Sequence, residues 1–243
     1  MGYSMLELTG VTKYFGGLGA IRHVSLTVRE GEFTGLIGPN GSGKTTLFNI
    51  ITGVLKPSSG RIKFMGKDIT GFLPDRICHS GIGRTFQVPR PFRGLSVVEN
   101  IKAGILFGKG AAPVNEDPHQ EACAVMELVG LKVQETTTPN ELNIIDLRRL
   151  ELARALATRP KLLLLDEVMS GLTQAEIAEA SRVLNRIRKK WGITIIWVEH
   201  IMGALMNLVE RVVILQFGEV LAEGMPSEVS MDQRVIEAYL GKE

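Results

Sequence analysis

Cysteine is nearly absent from this 243-residue chain: Cys78 and Cys123 stand alone, in no C-x-x-C pair and in no Cys/His ligand template. That scarcity argues against a disulfide framework or a zinc site and fits a reducing compartment. Long hydrophobic runs are also missing. No apolar stretch reaches the roughly 18 residues needed to span a bilayer, so any membrane role has to come through a partner. The opening MGYSMLELTG has neither a charged n-region nor an apolar h-region, and Leu6 breaks the N-myristoylation pattern, so neither a signal peptide nor a lipid anchor is expected. Charge of one sign is lacking too: 28 Lys and Arg against 26 Asp and Glu give a net charge of +2. The longest basic run, RKK at 188–190, reads as a solvated helix end, and nucleic acid is not an expected partner.

What is present is ample apolar material, 44% of residues, arranged in two periods. LELTGVTKYF and IRHVSLTV alternate apolar and polar residues, as half-buried antiparallel strands do. FTGLI, KLLLLDE, ITIIWVEH and RVVILQF are short continuous apolar runs, suited to parallel strands covered on both faces. Helical patterns lie between them: TTLFNIITGVL, LRRLELARALAT and AEIAEASRVLNRIRKKW. The expected fold is α/β, a mainly parallel sheet flanked by helices with an N-terminal antiparallel β layer. Residues 88–160 break the rhythm. VPRPF forbids regular helix, GKGAAPVNEDP reads as a loop, and HQEACAVMELVGL is a helix pattern ending at Gly130. They are read as an inserted helical lobe, with 1–87 and 161–243 as the core and DQRVIEAYLGKE as a short terminal helix closing on Gly241.

Gly38-x-x-x-x-Gly43-Lys44-Thr45 follows a strand and opens a helix. Glycines let backbone amides turn toward phosphate oxygens, and a helix start adds positive dipole. Lys44 supplies a point charge to the β- and γ-phosphates, and the Thr45 hydroxyl can ligate Mg²⁺. Asp166 and Glu167 close KLLLLDE at the C-terminal edge of a parallel strand, where ligands gather in open α/β sheets. Asp166 is expected to hold the Mg²⁺ shell and Glu167 to polarise the attacking water. His200, closing ITIIWVEH at the same edge, can hydrogen-bond the γ-phosphate or the water. His23, His79 and His119 are read as structural.

With these residues in place, the order GPNGSGKTT, RTFQ, LLLLDE, SGLT, VEH resembles, over essentially the whole chain, the nucleotide-binding subunit of an ABC transporter, a P-loop NTPase. The resemblance implies that ATP lies in the cradle of Gly38, Pro39, Asn40, Gly41, Ser42, Gly43, Lys44, Thr45 and Thr46. It implies Mg²⁺ on Thr45, Asp166 and Gln87, the last in the family's Q-loop, which links the site to membrane subunits. KYFGG is similar to the loop that stacks on adenine, with Phe15 aligning best and Tyr14 as the rival. Ser170-Gly171-Leu172-Thr173 is similar to the D-loop, although Thr173 stands where aspartate is usual and Val168 where proline follows the acidic pair. GIGRTFQ, VPRPFRGLSVVENI and AYLG look most like importers of branched-chain amino acids and their relatives for urea or amides. A soluble, non-transport ABC ATPase is the alternative. The resemblance further implies a cytoplasmic, peripheral subunit that pairs with a second ATPase and two permease subunits, and indirectly with a solute-binding protein.

In that family each ATP is completed by a signature, usually L-S-G-G-Q, on the other subunit's helical lobe. Here Leu142-Asn143-Ile144-Ile145-Asp146 occupies the slot. Asn143 is a good N-cap and Asn143-x-x-Asp146 imitates a capping box, so a helix is expected to start here with free amides aimed outward. Ile144 and Ile145 put branched bulk where glycine would take positive φ. Asp146 adds a repulsion of about 2 kcal/mol per unit phosphate charge at about 7 Å and a dielectric of about 20, above the roughly 0.3–1 kcal/mol of the helix dipole. The expectation is a weakened signature opposite an intact cradle, which favours a heterodimer over a homodimer, in which both sites would carry the defect.

Overall fold

The computed structural model describes residues 4–108, 117–169, 171–199 and 205–240. In chain order the strands are β1 (Ser4–Phe15), β2 (Leu18–Arg29), β3 (Phe33–Ile37), β4 (Ser59–Phe64), β5 (Lys67–Asp68), β6 (Ile82–Arg84), β7 (Leu162–Asp166), β8 (Thr194–Val198), β9 (Arg211–Gln216) and β10 (Glu219–Gly224). The helices are α1 (Lys44–Ile51), α2 (Pro74–Ser80), α3 (Val97–Phe107), α4 (Pro118–Val129), α5 (Ile144–Ala157), α6 (Gln174–Trp191), α7 (Pro226–Val229) and α8 (Gln233–Leu240). They fall into two compact units, one of Met1–Ile77 with Thr194–Glu243 and one of Cys78–Ile193.

In the first unit, the alternation of the N-terminal segments becomes an antiparallel sheet in the order β2-β1-β4-β5. Leu6 faces Val28 and Leu8 faces Leu26 across the β1–β2 ladder, and all four side chains are buried. β3 is buried at every position and runs parallel to β8 on one side and β9 on the other, with Gly35 opposite both Trp197 and Val212. Continuous burial is why these strands carry no polar alternation. β10 closes this part of the sheet as an antiparallel partner of β9. The helix pattern expected over 45–55 stops at Ile51, because Gly53 turns left-handed with φ 73° and passes so near the Phe72 carbonyl that a Cβ would lie 2.2 Å from it.

Below β3, Glu32 is tied by its carboxylate to the Arg211 guanidinium at 2.6 Å, the Thr34 hydroxyl at 2.9 Å and the Arg29 amide at 2.9 Å. Burial pushes this carboxyl up, but Arg211, the Arg29 amide and Thr34 outweigh it and hold its pKa below the ordinary value. A depressed folded-state pKa contributes stability that is present above the unfolded value and is lost as pH falls through the folded one. Glu32→Gln is therefore expected to cost about 2 kcal/mol of stability at pH 7. The deficit should shrink as pH drops below about 4, which urea titrations at the two pH values measure directly.

In the second unit, β6 pairs in parallel with β7, Gly83 opposite Leu163, and every residue of β7 is buried. α3, α4 and α5, which pack on one another, lie within the stretch read from sequence as a helical lobe. The irregular segment before α3 is fixed by the fully buried Asn100, which accepts from the Phe92 amide at 2.8 Å and donates to the Phe92, Leu95 and Ser96 carbonyls. α4 ends at left-handed Gly130, as its sequence predicts. α6 buries Ile177, Val183, Leu184 and Ile187 on one face and places Arg188, Lys189 and Lys190 in its last turn, where cations complement the dipole. Gly241 lies outside the described residues.

Candidate nucleotide site

β3 delivers the chain into the loop 38–43, and two close approaches explain its glycines. A Cβ on Gly38 would lie 2.1 Å from the Leu215 carbonyl, and one on Gly43, at φ 107°, would lie 2.7 Å from the Ala20 carbonyl. Gly43 is also the N-cap of α1 and brings no side chain to cap it, a helix start of the kind that suits an anionic ligand. Lys44 is buried, its Nζ donating to the Gly38 carbonyl at 2.7 Å and the Pro39 carbonyl at 3.0 Å. Ser42 Oγ is buried without a hydrogen-bond partner, a position that a native fold keeps for a ligand or ordered water. Thr45 is exposed. An uncapped helix start, a buried ammonium and an orphaned hydroxyl fit a polyphosphate.

The C-terminal helix reaches this loop. Burial pushes the Tyr239 phenol up to about 12, while a hydrogen bond from the Gly38 backbone pulls the other way. The tyrosine of AYLG is some 200 residues from Gly38 in the chain, so only the fold reveals that contact. At the end of β1 both aromatic residues are half exposed, Tyr14 at 50% and Phe15 at 47%. A Cβ on Gly19 would lie 3.1 Å from the Tyr14 ring, so Tyr14 is engaged within its own hairpin, and Lys13 Nζ stands 5.3 Å from the Phe15 ring centroid.

In the second unit the acidic strand end is built differently from expectation. Asp166 is buried and its carboxylate accepts from Arg84 Nη2 at 2.7 Å, in an ion pair shielded on both sides. Its amide donates to Thr85 Oγ1 at 3.1 Å. Arg84 lies within GIGRTFQ, and only the fold, by pairing β6 with β7, brings it to Asp166. Glu167 is 8% exposed and takes a left-handed backbone, φ 50°, which is unusual for a residue with a Cβ and is typical of functional sites. Its Oε2 accepts from Gln87 Nε2 at 2.6 Å, joining two residues that the sequence separates by 80 positions. His200 lies outside the described residues, as does Ser170. Thr173 caps α6 in a capping box with Glu176, a role aspartate performs equally well, which accounts for the departure at that position.

The signature segment forms the expected N-cap but not the expected free amides. Asn143 Oδ1 accepts from both the Ile145 and Asp146 amides at 2.9 Å, and its Nδ2 donates to Asp146 Oδ2 at 2.8 Å. Two of the first donors of α5 are thus already used. No residue from 143 to 146 has positive φ, so the conformational objection to isoleucine does not apply. Asp146 is paired to Arg149 at 3.3 Å, which offsets the charge that was expected to repel phosphate. Ile144 is exposed, whereas Ile145 lines a small apolar cavity of about 60 Å³ with Val129, Leu152, Val183 and Leu184.

A glycine-shaped phosphate loop running from a buried parallel strand into an uncapped helix defines a P-loop nucleotide-binding protein. The family described as ABC transporter matches residues 21–170, more than half of the chain, which therefore belongs to that family. A second family, branched-chain amino acid ATP-binding cassette transporter, matches residues 219–243. The chain is 36% identical over 254 aligned positions to the high-affinity branched-chain amino acid transport ATP-binding protein LivG of Salmonella typhimurium, covering 100% of both. It is 34% identical to BraF, the protein of the same description from Pseudomonas aeruginosa, again covering 100% of both. Among solved structures it is similar to a nucleotide-free ATP-binding cassette from an ABC transporter (TM-score 0.88, 32% identity, covering 98% of this chain and 100% of that one). It is also similar to the ADP conformation of such a cassette, with TM-score 0.87, 33% identity and coverage of 98% and 99%. No helix among the described residues is long and apolar enough to cross a membrane.

Proposed function

We propose that this chain is the ATP-hydrolysing subunit of an importer for branched-chain or related amino acids, working at the cytoplasmic face of the membrane beneath two permease subunits. The cargo rests on the relatives' descriptions and on the match at 219–243. Hydrolysis rests above all on the Gln87–Glu167 hydrogen bond, which holds a carboxylate at the end of a buried strand in a strained backbone. In this reading the loop amides and Lys44 bind the β- and γ-phosphates, and Glu167 orients and deprotonates the water that attacks the γ-phosphorus. His200 hydrogen-bonds the γ-phosphate or the attacking water, and Phe15 stacks on adenine. The Thr45 hydroxyl, the Asp166 carboxylate and the Gln87 amide are hard oxygen donors of the kind Mg²⁺ takes, and the ion would neutralise charge on the phosphates. Arg84 then sets how much of Asp166 is offered to it.

The permease contact falls on the segment around Gln87, residues 86–92. Phe86, Val88 and Phe92 are exposed there, at 37%, 69% and 50%, with the Arg84 and Arg90 guanidinium groups over the Phe86 ring and that of Arg154 over Phe92. The same segment is tied to the signature helix, since Arg154 Nη1 donates to the Arg90 carbonyl at 2.7 Å and the buried Glu151 carboxylate accepts from the Arg90 amide at 3.4 Å. A load on residues 86–92 is thereby transmitted to α5. Cargo moves because ATP binds the closed pair of ATPases better than the open one, the only way a ligand shifts such an equilibrium. Purifying the tagged chain in detergent tests the reading. Integral membrane proteins should co-purify, and reconstituted with the separate solute-binding protein they should take up branched-chain amino acids on ATP addition. Recovery with nucleic acid or ribosomes instead would point to a soluble ABC ATPase, and uptake of urea or amides alone would reassign the cargo.

A further inference from the structure

We propose that His119, Cys123 and Glu135 form a binding site for a divalent transition-metal ion of the zinc type, separate from the nucleotide site. His119 and Cys123 stand four residues apart on α4 and so share one face of the helix. Glu135 comes from the loop after that helix. Its carboxylate Oε2 lies 2.9 Å from His119 Nε2, and its Oε1 accepts from Cys123 Sγ at 3.3 Å. One ligand atom from each residue lies within 4.8 Å of the other two. A tetrahedral zinc ion with bonds of about 2.0–2.3 Å keeps its ligand atoms roughly 3.3–3.7 Å apart, so these side chains need only small rotations to receive it.

Both elements are held in place independently of any ion. α4 is capped at one end by the Asp117 side chain, which accepts from the His119 amide at 3.0 Å, and at the other by left-handed Gly130. The loop is pinned because the Glu135 and Thr137 carbonyls accept from the Val98 and Val97 amides, the first donors of α3. The chemistry is balanced as well. A neutral imidazole, a thiolate and a carboxylate together neutralise a dication, and the thiolate and imidazole select a borderline-soft ion over Mg²⁺ or Ca²⁺. Ligation by Cys123 requires the thiolate, so binding of the cation would release the thiol proton to solvent. His119 and Glu135 are exposed and Cys123 partly so, which leaves the ion a path in and a fourth coordination position to solvent. Bound there, it would brace α4 against the loop that carries the start of α3. The sequence templates miss this arrangement because they look for paired cysteines, and here the third ligand is a glutamate reached only through a turn.

The test uses the full chain, stripped with chelator, kept reduced and free of nucleotide, and titrated with Co²⁺ as a spectroscopic stand-in for Zn²⁺. One equivalent should produce a thiolate-to-cobalt charge-transfer band in the near ultraviolet and intense visible bands of tetrahedral cobalt, and Zn²⁺ should bleach both. Cys123→Ser should abolish the charge-transfer band, and His119→Ala should weaken binding about tenfold or more. Cys78→Ser, at the other free cysteine, should change neither. Absence of a charge-transfer band in the wild-type chain, or its survival in Cys123→Ser, would overturn the proposal. ATP binding by each variant, measured separately, confirms that the chain is folded.

Discussion

Glu167→Gln is expected to lower ATP turnover by about 10²–10⁴-fold while leaving nucleotide affinity within a few-fold of wild type. The substitution keeps the size of the side chain, and its amide oxygen can still accept from Gln87 Nε2, the contact now 2.6 Å long. It removes the negative charge that draws a proton from water in the transition state, so the loss falls on the chemical step and not on binding. Lys44→Ala should behave oppositely. Its ammonium is buried against the Gly38 and Pro39 carbonyls, and without it the phosphates meet a partly negative loop, so binding itself is lost. Nucleotide binding by filtration or fluorescence, set beside phosphate release, separates the two. Equal losses of affinity in both variants would show that Glu167 belongs to binding and that another group handles the water.

How far the sequence discloses this site depends on whether a residue acts through its neighbours in the chain or through neighbours in space. The phosphate loop is local: Gly38, Gly43, Lys44 and the helix that follows are one run of residues, and their spacing alone dictates the turn. The buried parallel strands are legible for the same reason, since continuous burial of FTGLI and KLLLLD leaves no alternation. Arg84 on Asp166 and Gln87 on Glu167 are not legible, because each pair joins β6 or its loop to β7 across some 80 residues. Tyr239 at Gly38 is the extreme case, a contact between the C-terminal helix and a loop near the N-terminal third. In the signature segment the residue types predicted the cap, but they could not tell that Asn143 would take two amides at once. Nor could they tell that Arg149 would draw Asp146 aside.

That last difference changes what should restore the signature. Branched bulk at Ile145 faces the apolar cavity under α5 and has no bearing on a partner's phosphate, so it is best left in place. On the proposal that the segment is a weakened signature facing a different ATPase, Asn143 is the obstacle, since its Oδ1 occupies the Ile145 and Asp146 amides and Asp146 in turn holds its Nδ2. Serine at 143 is too short to span both amides, glutamine at 146 removes the carboxylate, and glycine at 144 clears the exposed side chain beside them. Each charged hydrogen bond to phosphate is worth about 1.5–3 kcal/mol, against about 1 kcal/mol for a weakened cap. The triple variant Asn143→Ser, Ile144→Gly, Asp146→Gln should therefore raise hydrolysis at the partner's cradle about tenfold. The measurement pairs it with the second ATPase and adds Glu167→Gln to silence this chain's own site, so that the remaining turnover belongs to the partner. The lone chain should be slow, because both of its sites would face the same capped amides. If the triple variant leaves the partner's rate unchanged, or if the unmodified chain alone hydrolyses ATP as fast as the pair, the segment is an ordinary working signature and the two ATP sites are equivalent.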